Sequence, residues 1–472
     1  MSAGKDKKPL LVMKFGGTSV GGPERMECVA EILASRIETS EITAVVSAMG
    51  GVTDMLVRAA TEASRGDREH WKGVRAELAR RHREVADRSL SAAEQAVVLP
   101  RLAEYMRDFE NLCSGFSLVR EVTPRAMDTL SSLGELMSAT LVAAILRSQG
   151  HKAEAVDAAE IIVTDEAFGN ASPLMDETTP KARSRLAPLR RSGAVPVMTG
   201  FRGATRDGQT TTLGRGGSDY SATIIGAALD ADEVWIWSDV DGVMTADPRL
   251  VPGARIIPEI SYREAIELSF FGAKVLHPKT IQPVMKKKIP VWIKNSFNPS
   301  CVGTKICAAA QNGQAGAKAI TSVSDAVLVT MNGKDSLSFP RLATRVFNGL
   351  HLEDVTTLMA TQSSAENVLC FAIRQSELPR VKARLEKTFE LEILHEYVGV
   401  LEVVPKVAVV VVVGEKMKGT PGIAGRAFGA LGKRGINLIA IAQGSSELSI
   451  SFAVKASEVK EAVQAVHDEF EL

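Results

Sequence analysis

Between residue 10 and about residue 305 the chain alternates short, β-branched apolar runs with stretches of helical periodicity. The runs Leu10–Lys14, Thr43–Ser47, Ala194–Thr199, Glu233–Trp237 and Ile289–Ile293 are apolar on both faces. A strand of that kind needs cover on each side, and helices between such strands provide it. The pattern predicts an α/β domain with a mainly parallel sheet between helical layers, over residues 8–307. From Met55 to Gly150 strand signals fade, and stretches such as Trp71–Leu90 and Leu133–Ser148 read as a helical insertion at about 55–150. Its charge runs read as solvated helix faces.

The small, glycine-containing stretch Ala308–Gly316 marks a domain boundary. Beyond it the order changes. Strand, helix, strand, strand, helix and strand are expected at Ala326–Met331, Leu337–Leu350, Val355–Ala360, Asn367–Ile373, Leu378–Phe389 and Leu391–Val404, the ferredoxin-like βαββαβ order. The order restarts with Val407–Val413, Gly422–Arg434, Ile436–Ala442, Glu447–Val454 and Glu458–Glu469, but the sequence ends before a closing strand. A missing strand leaves an apolar edge open, so another segment is expected to fill it, with Lys318–Val323 as the leading candidate. The modules are expected at 317–404 and 405–472.

The chain has 472 residues, 45% hydrophobic and 24% charged, which suits a soluble protein with a large core. Lys+Arg and Asp+Glu are both 56. This balance offers no electrostatic reason to expect nucleic acid or an anionic membrane as partner. Five cysteines without CxxC or zinc spacing read as reduced thiols. The polar, lysine-rich start shows no signal peptide. The longest apolar run, taken to be Val407–Val413, is too short to span a bilayer. The expectation is a cytoplasmic protein.

Five stretches carry candidate chemistry. Lys14-Phe15-Gly16-Gly17-Thr18-Ser19-Val20 runs from a strand into a helix. It reads either as a tight turn or as a phosphate cradle, with backbone N–H groups and a lysine facing the anion. It is not a P-loop, where the lysine follows the glycines. Ser47–Asp54 follows a strand and carries hydroxyls and glycines; in doubly wound sheets ligands gather at such carboxyl ends. Leu213-Gly214-Arg215-Gly216-Gly217-Ser218-Asp219-Tyr220 places a guanidinium near a carboxylate, which suits a zwitterion; a salt bridge beside a capped helix is the alternative.

Ser238–Arg249 opens as Asp-x-Asp-Gly, but Gly242 and Leu250 stand wrongly for an EF-hand, and a nucleotide-binding loop fits better. Phe271–Pro278 adds Lys274, with His277 read as a structural histidine. Glu135, in an apolar helical run, is expected on an exposed face unless that run packs against the site.

Together these stretches, with the paired C-terminal modules, closely resemble aspartate kinases of the amino-acid kinase family, over nearly the whole chain. The resemblance implies a carbamate kinase-like three-layer αβα sandwich followed by two ferredoxin-like ACT modules. It implies transfer of the γ-phosphoryl of ATP, carried with Mg²⁺, to the β-carboxylate of L-aspartate. That reaction is the first step of lysine, threonine and methionine biosynthesis.

Lys14 would contact the transferring group, with Gly16 and Gly17 shaping the turn and Asp219 beside them. Ser47, Thr53, Glu135, Phe201, Arg215, Gly216, Gly217 and Ser218 would line the aspartate pocket. Arg215 would hold a substrate carboxylate, and Glu135 with Asp219 the ammonium. Lys14, Ser238, Asp239, Met244, Arg249, Lys274 and Val275 would face the nucleotide; no protein-held metal is implied. Where the family often has Thr and Tyr, this chain has Ser238 and Met244.

The ACT modules imply feedback by lysine or threonine, and a homodimer or larger homo-oligomer. The ending implies no fused homoserine dehydrogenase domain. Alternatives are a related kinase acting on glutamate or acetylglutamate, and a non-catalytic amino-acid sensor.

Overall fold

The computed structural model describes residues 8–273, 276–308, 316–333, 337–363, 366–395, 397–399 and 401–472. The chain divides into two compact units. The first comprises residues 1–243, 258–262 and 276–310; the second comprises 244–257, 263–275 and 311–472. Residues 244–257 and 263–273, which the sequence placed in the catalytic domain, group with the second unit.

The first unit is built on an eight-stranded sheet. Its strands are β1 (Leu10–Phe15), β2 (Glu41–Val46), β3 (Ala153–Val156), β4 (Val195–Thr199), β7 (Glu233–Ser238), β8 (Glu259–Ser261), β9 (Val291–Asn295) and β10 (Thr304–Cys307). A separate ribbon pairs β5 (Arg202–Ala204) with β6 (Thr210–Thr212). The sheet order is β3-β4-β2-β1-β7-β9-β10-β8, with only the β9–β10 pair antiparallel. β1 is buried along its whole length. The chain leaves β1 toward β2 on one side and returns at β7 on the other, so the strand order reverses there. That is where a doubly wound sheet opens a crevice at its carboxyl edge. β3, β5, β6, β8 and β10 had no sequence signal, being three or four residues long.

The helices are α1 (Pro23–Ile37), α2 (Val52–Arg65), α3 (Arg68–Ser89), α4 (Ala92–Val119), α5 (Pro124–Ser131), α6 (Leu133–Ser148), α7 (Met175–Arg191), α8 (Gly217–Leu229), α9 (Tyr262–Phe270, mostly in the second unit) and α10 (Pro278–Lys287). Asp67 and Ser91 cap α3 and α4 by accepting from the N–H groups of His70 and Glu94. One apolar core joins β1 and β2 to α1 through Met26, Val29 and Leu33, and to the helical insertion through Leu78, Phe109 and Leu141. Among the described residues one helical stretch, Pro124–Ser148, is apolar and long enough to cross a membrane. Most of its apolar window is buried inside the unit, as befits a core helix.

The second unit carries one six-stranded antiparallel sheet, ordered β12-β13-β11-β14-β16-β15. Its strands are β11 (Ala319–Asn332), β12 (Met359–Ser363), β13 (Val368–Arg374), β14 (Glu402–Val413), β15 (Ala440–Gln443) and β16 (Ser449–Lys455). Its other helices are α11 (Phe339–Leu352), α12 (Leu378–Thr388), α13 (Glu390–Leu394), α14 (Ile423–Lys433) and α15 (Val459–Phe470). The start of β11, Ala319–Val323, pairs with Val413–Val409 of β14, and its end pairs with β13. One strand thus serves both modules. The strand expected at Leu391–Val404 is instead the helix α13 followed by β14, which continues to Val413 through an irregularity at Lys406. The strand expected at Val355–Ala360 begins at Met359.

Candidate active site

Hydrogen bonds tie the carboxyl ends of the central strands together. Gly16 N–H donates to Trp237 O (3.1 Å), Ser47 N–H to Phe15 O (3.1 Å), and Gly50 N–H to Gly17 O (3.0 Å). Gly200 N–H donates to Val46 O at 2.8 Å. A Cβ on Gly17 would come within 2.9 Å of Ala48 O, so the loops after β1 and β2 can approach only because residue 17 lacks one. A Cβ on Gly134 would meet the Ala48 Cβ at 2.6 Å, which holds α6 tight against the same loop.

Between these loops lies a cavity of about 330 Å³. Lys14, Gly17, Ser47, Thr53, Glu135, Phe201, Gly216, Gly217, Ser218 and Asp219 all line it. So do Asp54 and Gly214, which sequence reasoning had not assigned. Arg215 does not: its side chain is exposed, and only its glycine neighbours reach the cavity wall. Gly16 is also off the wall, bonded to β7 behind it.

Lys14 Nζ lies 2.5 Å from Asp219 Oδ1, both largely shielded from solvent. The contact is an ion pair without the directionality of a hydrogen bond. Lys14 thus pairs with the carboxylate that the resemblance assigned, with Glu135, to the substrate ammonium.

Glu135 departs most from expectation. It is 3% exposed, in the first turn of α6, because its helix packs against the site. Burial pushes its carboxyl up to about 7, offset in part by the N–H groups of Ala48 and of Glu135 itself and by the charge of Arg202. Oε2 has no partner among the described residues. An uncompensated acceptor at a cavity wall invites a donor-bearing ligand.

Two helices begin at the cavity. α2 and α8 have the glycine N-caps Gly51 and Gly216, both in the left-handed region (φ 79° and 71°), and no side chain caps either helix. The first N–H of each helix is taken, Val52 donating to Met49 O and Gly217 to Gly214 O, which leaves the next N–H groups of each first turn to a ligand, and both helix dipoles favour an anion there. Phe201 holds a φ of 65°, rare for an aromatic residue. Its N–H donates to Ser221 Oγ (3.0 Å), and its carbonyl accepts from Leu213 N–H (2.9 Å).

Behind the wall stand two further groups without a sequence signal. Arg202, 6% exposed, forms a two-pronged pair with Asp157 and donates from Nη1 to Ser132 Oγ at 2.6 Å. Asp128 accepts from Thr212 N–H and Oγ1 and from Gly169 N–H. Burial raises its carboxyl above the usual range. Only contacts between distant segments reveal either residue.

Of the nucleotide candidates, Ser238 ends β7 and accepts from Val240 N–H; Asp239 is exposed beside it. Ser296, at the end of β9, donates from its N–H to Ser238 O (2.9 Å) and bonds Ser19 Oγ at 2.7 Å. Met244 and Arg249 belong to the second unit. There Met244 bridges to Ile256, while Arg249 is 87% exposed and paired with Asp247. Lys274 and Val275 lie outside the described residues. His277 caps α10, its ring accepting from Lys279 N–H, in keeping with a structural role.

Residues 9–295 match the amino acid kinase family, and residues 410–470 match an ACT domain. The chain belongs to the amino acid kinase family. Its similarity within that family is to aspartokinases. The chain is 34% identical to the bifunctional aspartokinase/homoserine dehydrogenase 1 of Arabidopsis thaliana, covering 98% of this chain and 51% of the relative. It is also 34% identical to Arabidopsis aspartokinase 3, covering 98% and 82%. The chain spans about half the length of the bifunctional plant relatives it matches.

Among solved structures, Escherichia coli aspartokinase III with aspartate and ADP (R-state) superposes with a TM-score of 0.82 at 29% identity, covering 98% of this chain and all of that one. The same protein with lysine and aspartate (T-state) gives 0.80 at 30% identity, covering 98% and 99%. These neighbours share the amino acid kinase fold, with ACT modules following it.

Proposed function

We propose that this aspartokinase-family chain transfers the γ-phosphoryl group of ATP to the β-carboxylate of L-aspartate. The observation that carries the reading is the cavity at the end of β1. It combines Lys14, two uncapped helix N-termini and the partnerless Oε2 of Glu135. An aspartate has matching parts: carboxylates for the N–H groups and the lysine, and an ammonium for Glu135. The E. coli relative, whose structure holds aspartate and ADP, supports the same choice of ligands.

The nucleophile is an ordinary carboxylate with a pKa of about 3.9, ionised at neutral pH, so no general base is needed. The barrier lies in bringing one anion against another. Positioning and positive charge lower it. Lys14 supplies the charge at the strand end, and Asp219 holds its ammonium in the cavity until the substrates compete for it. Glu135 then takes the substrate ammonium in its ionised form.

The adenine nucleotide would lie along the end of β7 at Ser238 and Asp239. Mg²⁺ would enter on its phosphates. The ACT modules read as the seat of feedback by an end-product amino acid, lysine first, as in the E. coli T-state complex with lysine. ACT modules that bind effectors between subunits imply a homodimer or larger homo-oligomer.

The deciding experiment supplies ATP, Mg²⁺ and each candidate amino acid and traps acyl phosphate as hydroxamate. Signal with aspartate alone is expected. Signal only with glutamate or acetylglutamate, or with none, defeats the reading. Lys14→Ala should lower kcat by on the order of a thousandfold or more while aspartate still binds by calorimetry. Near-normal turnover in that variant would remove Lys14 from the chemistry.

A further inference from the structure

We propose that Arg202 is a positioning residue for the aspartate pocket: from β5 it locks the first turn of α6, and with it Glu135, against the backbone bend at Phe201. The proposal rests on the reading of the cavity as the aspartate site.

Arg202 directly follows Phe201, so the guanidinium and the strained cavity-wall residue share one backbone segment. Its Nε and Nη2 grip the two carboxylate oxygens of Asp157 at 2.9 and 3.0 Å. Its Nη1 donates to Ser132 Oγ at 2.6 Å. Ser132 is the residue before α6 and donates in turn to Asp128 O at 2.7 Å. Glu135 stands three residues further, in the first turn. One buried guanidinium therefore joins β5, the turn after β3 and the α5–α6 junction.

A planar fork with fixed donor directions transmits geometry in a way a flexible ammonium cannot. Its charge also favours the ionised carboxylate that a substrate ammonium needs, opposing the burial of Glu135. The other charged groups around Glu135 are Lys14 from β1, Asp54 from α2, Asp219 from α8 and Asp157 behind Arg202. Lys14 is paired with Asp219 and Arg202 with Asp157, and it is the charge of Arg202 that lowers the pKa of the glutamate from the protein side.

The test compares the wild type with Arg202→Met, Arg202→Lys and Ser132→Ala, using KM for aspartate, KM for ATP, kcat and the pH profile of kcat/KM. Arg202→Met should raise the KM for aspartate at least tenfold, leave the KM for ATP within threefold, and move the acidic limb up by about one pH unit. Arg202→Lys should restore the limb but not the KM, because it returns the charge without the fork. Ser132→Ala should raise the KM for aspartate a few-fold and leave the limb in place.

A merely structural arginine would raise both KM values together, in step with a lower melting temperature, and that result overturns the proposal. So does an unchanged KM for aspartate in Arg202→Met. If Arg202→Met does not fold, Ser132→Ala decides alone: an unchanged KM for aspartate overturns the proposal. A wild type inactive on aspartate would instead defeat the underlying reading of the pocket.

Discussion

At the scale of single residues, Glu135 carries a conflict between burial and use. A carboxyl held near 7 in the folded state and near 4.5 in the unfolded chain binds its proton more tightly when folded. The sign follows: its contribution to stability is full below about pH 4.5 and is lost as pH rises through about 7, on the order of 3 kcal/mol. Glu135→Gln stays neutral throughout. Denaturation midpoints of the two proteins should therefore converge near pH 5 and separate by pH 8, with the variant the more stable. Parallel curves would mean that the buried carboxyl does not titrate in this range. The same variant should raise the KM for aspartate tenfold or more, as expected of a site that trades stability for binding.

At the scale of elements, the helical insertion carries a second buried titrating group. His82 of α3 is buried; its Nδ1 bonds Leu78 O, and burial pushes its pKa down to about 4. The folded state thus keeps the ring neutral while the unfolded chain protonates near 6.5. Stability is present above 6.5 and is lost as pH falls toward 4, by on the order of 3 kcal/mol. His82→Leu should flatten the denaturation midpoint between pH 6.5 and 4, measured by urea titration at each pH. A slope equal to that of the wild type would relocate the acid sensitivity elsewhere.

Elements with a long periodic pattern, such as α1, α3 and α6, were legible in the sequence. The failures were local: α13 is a five-residue helix whose Leu391, Ile393 and Leu394 mimic a strand. β14 joins two expected strands because Val403 and Val404 continue the same ladder against β11 as Val407–Val413.

At the scale of the whole molecule, the sheet of the second unit depends on strands exchanged between distant parts of the sequence. β11 bridges the two modules, and the residues Val409–Val413 that face its start are fully buried. An effector that favours one arrangement of such a unit must bind the two states differently to act at all. Lysine titrated into the activity assay should inhibit aspartate phosphorylation, and threonine is the second effector to test. No response to either amino acid, alone or together, removes both as effectors. Sedimentation of the full chain should give at least a dimer.

What the sequence determined alone was the set of parts. Apolar runs, glycines beside a lysine and the restart of the βαββαβ order follow from local patterns, since backbone propensity and periodicity are short-range. They sufficed for the fold class, and the resemblance to aspartate kinases that they carry supplied most of the cavity wall. The tertiary structure decided which parts meet. It turned Glu135 inward and raised its pKa, paired Lys14 with Asp219, left Arg215 in solvent and brought Arg202 behind the pocket. Each of these is a contact or a burial between segments far apart in the chain, and desolvation and ion pairing depend on what lies within a few ångströms in space, which no local pattern records.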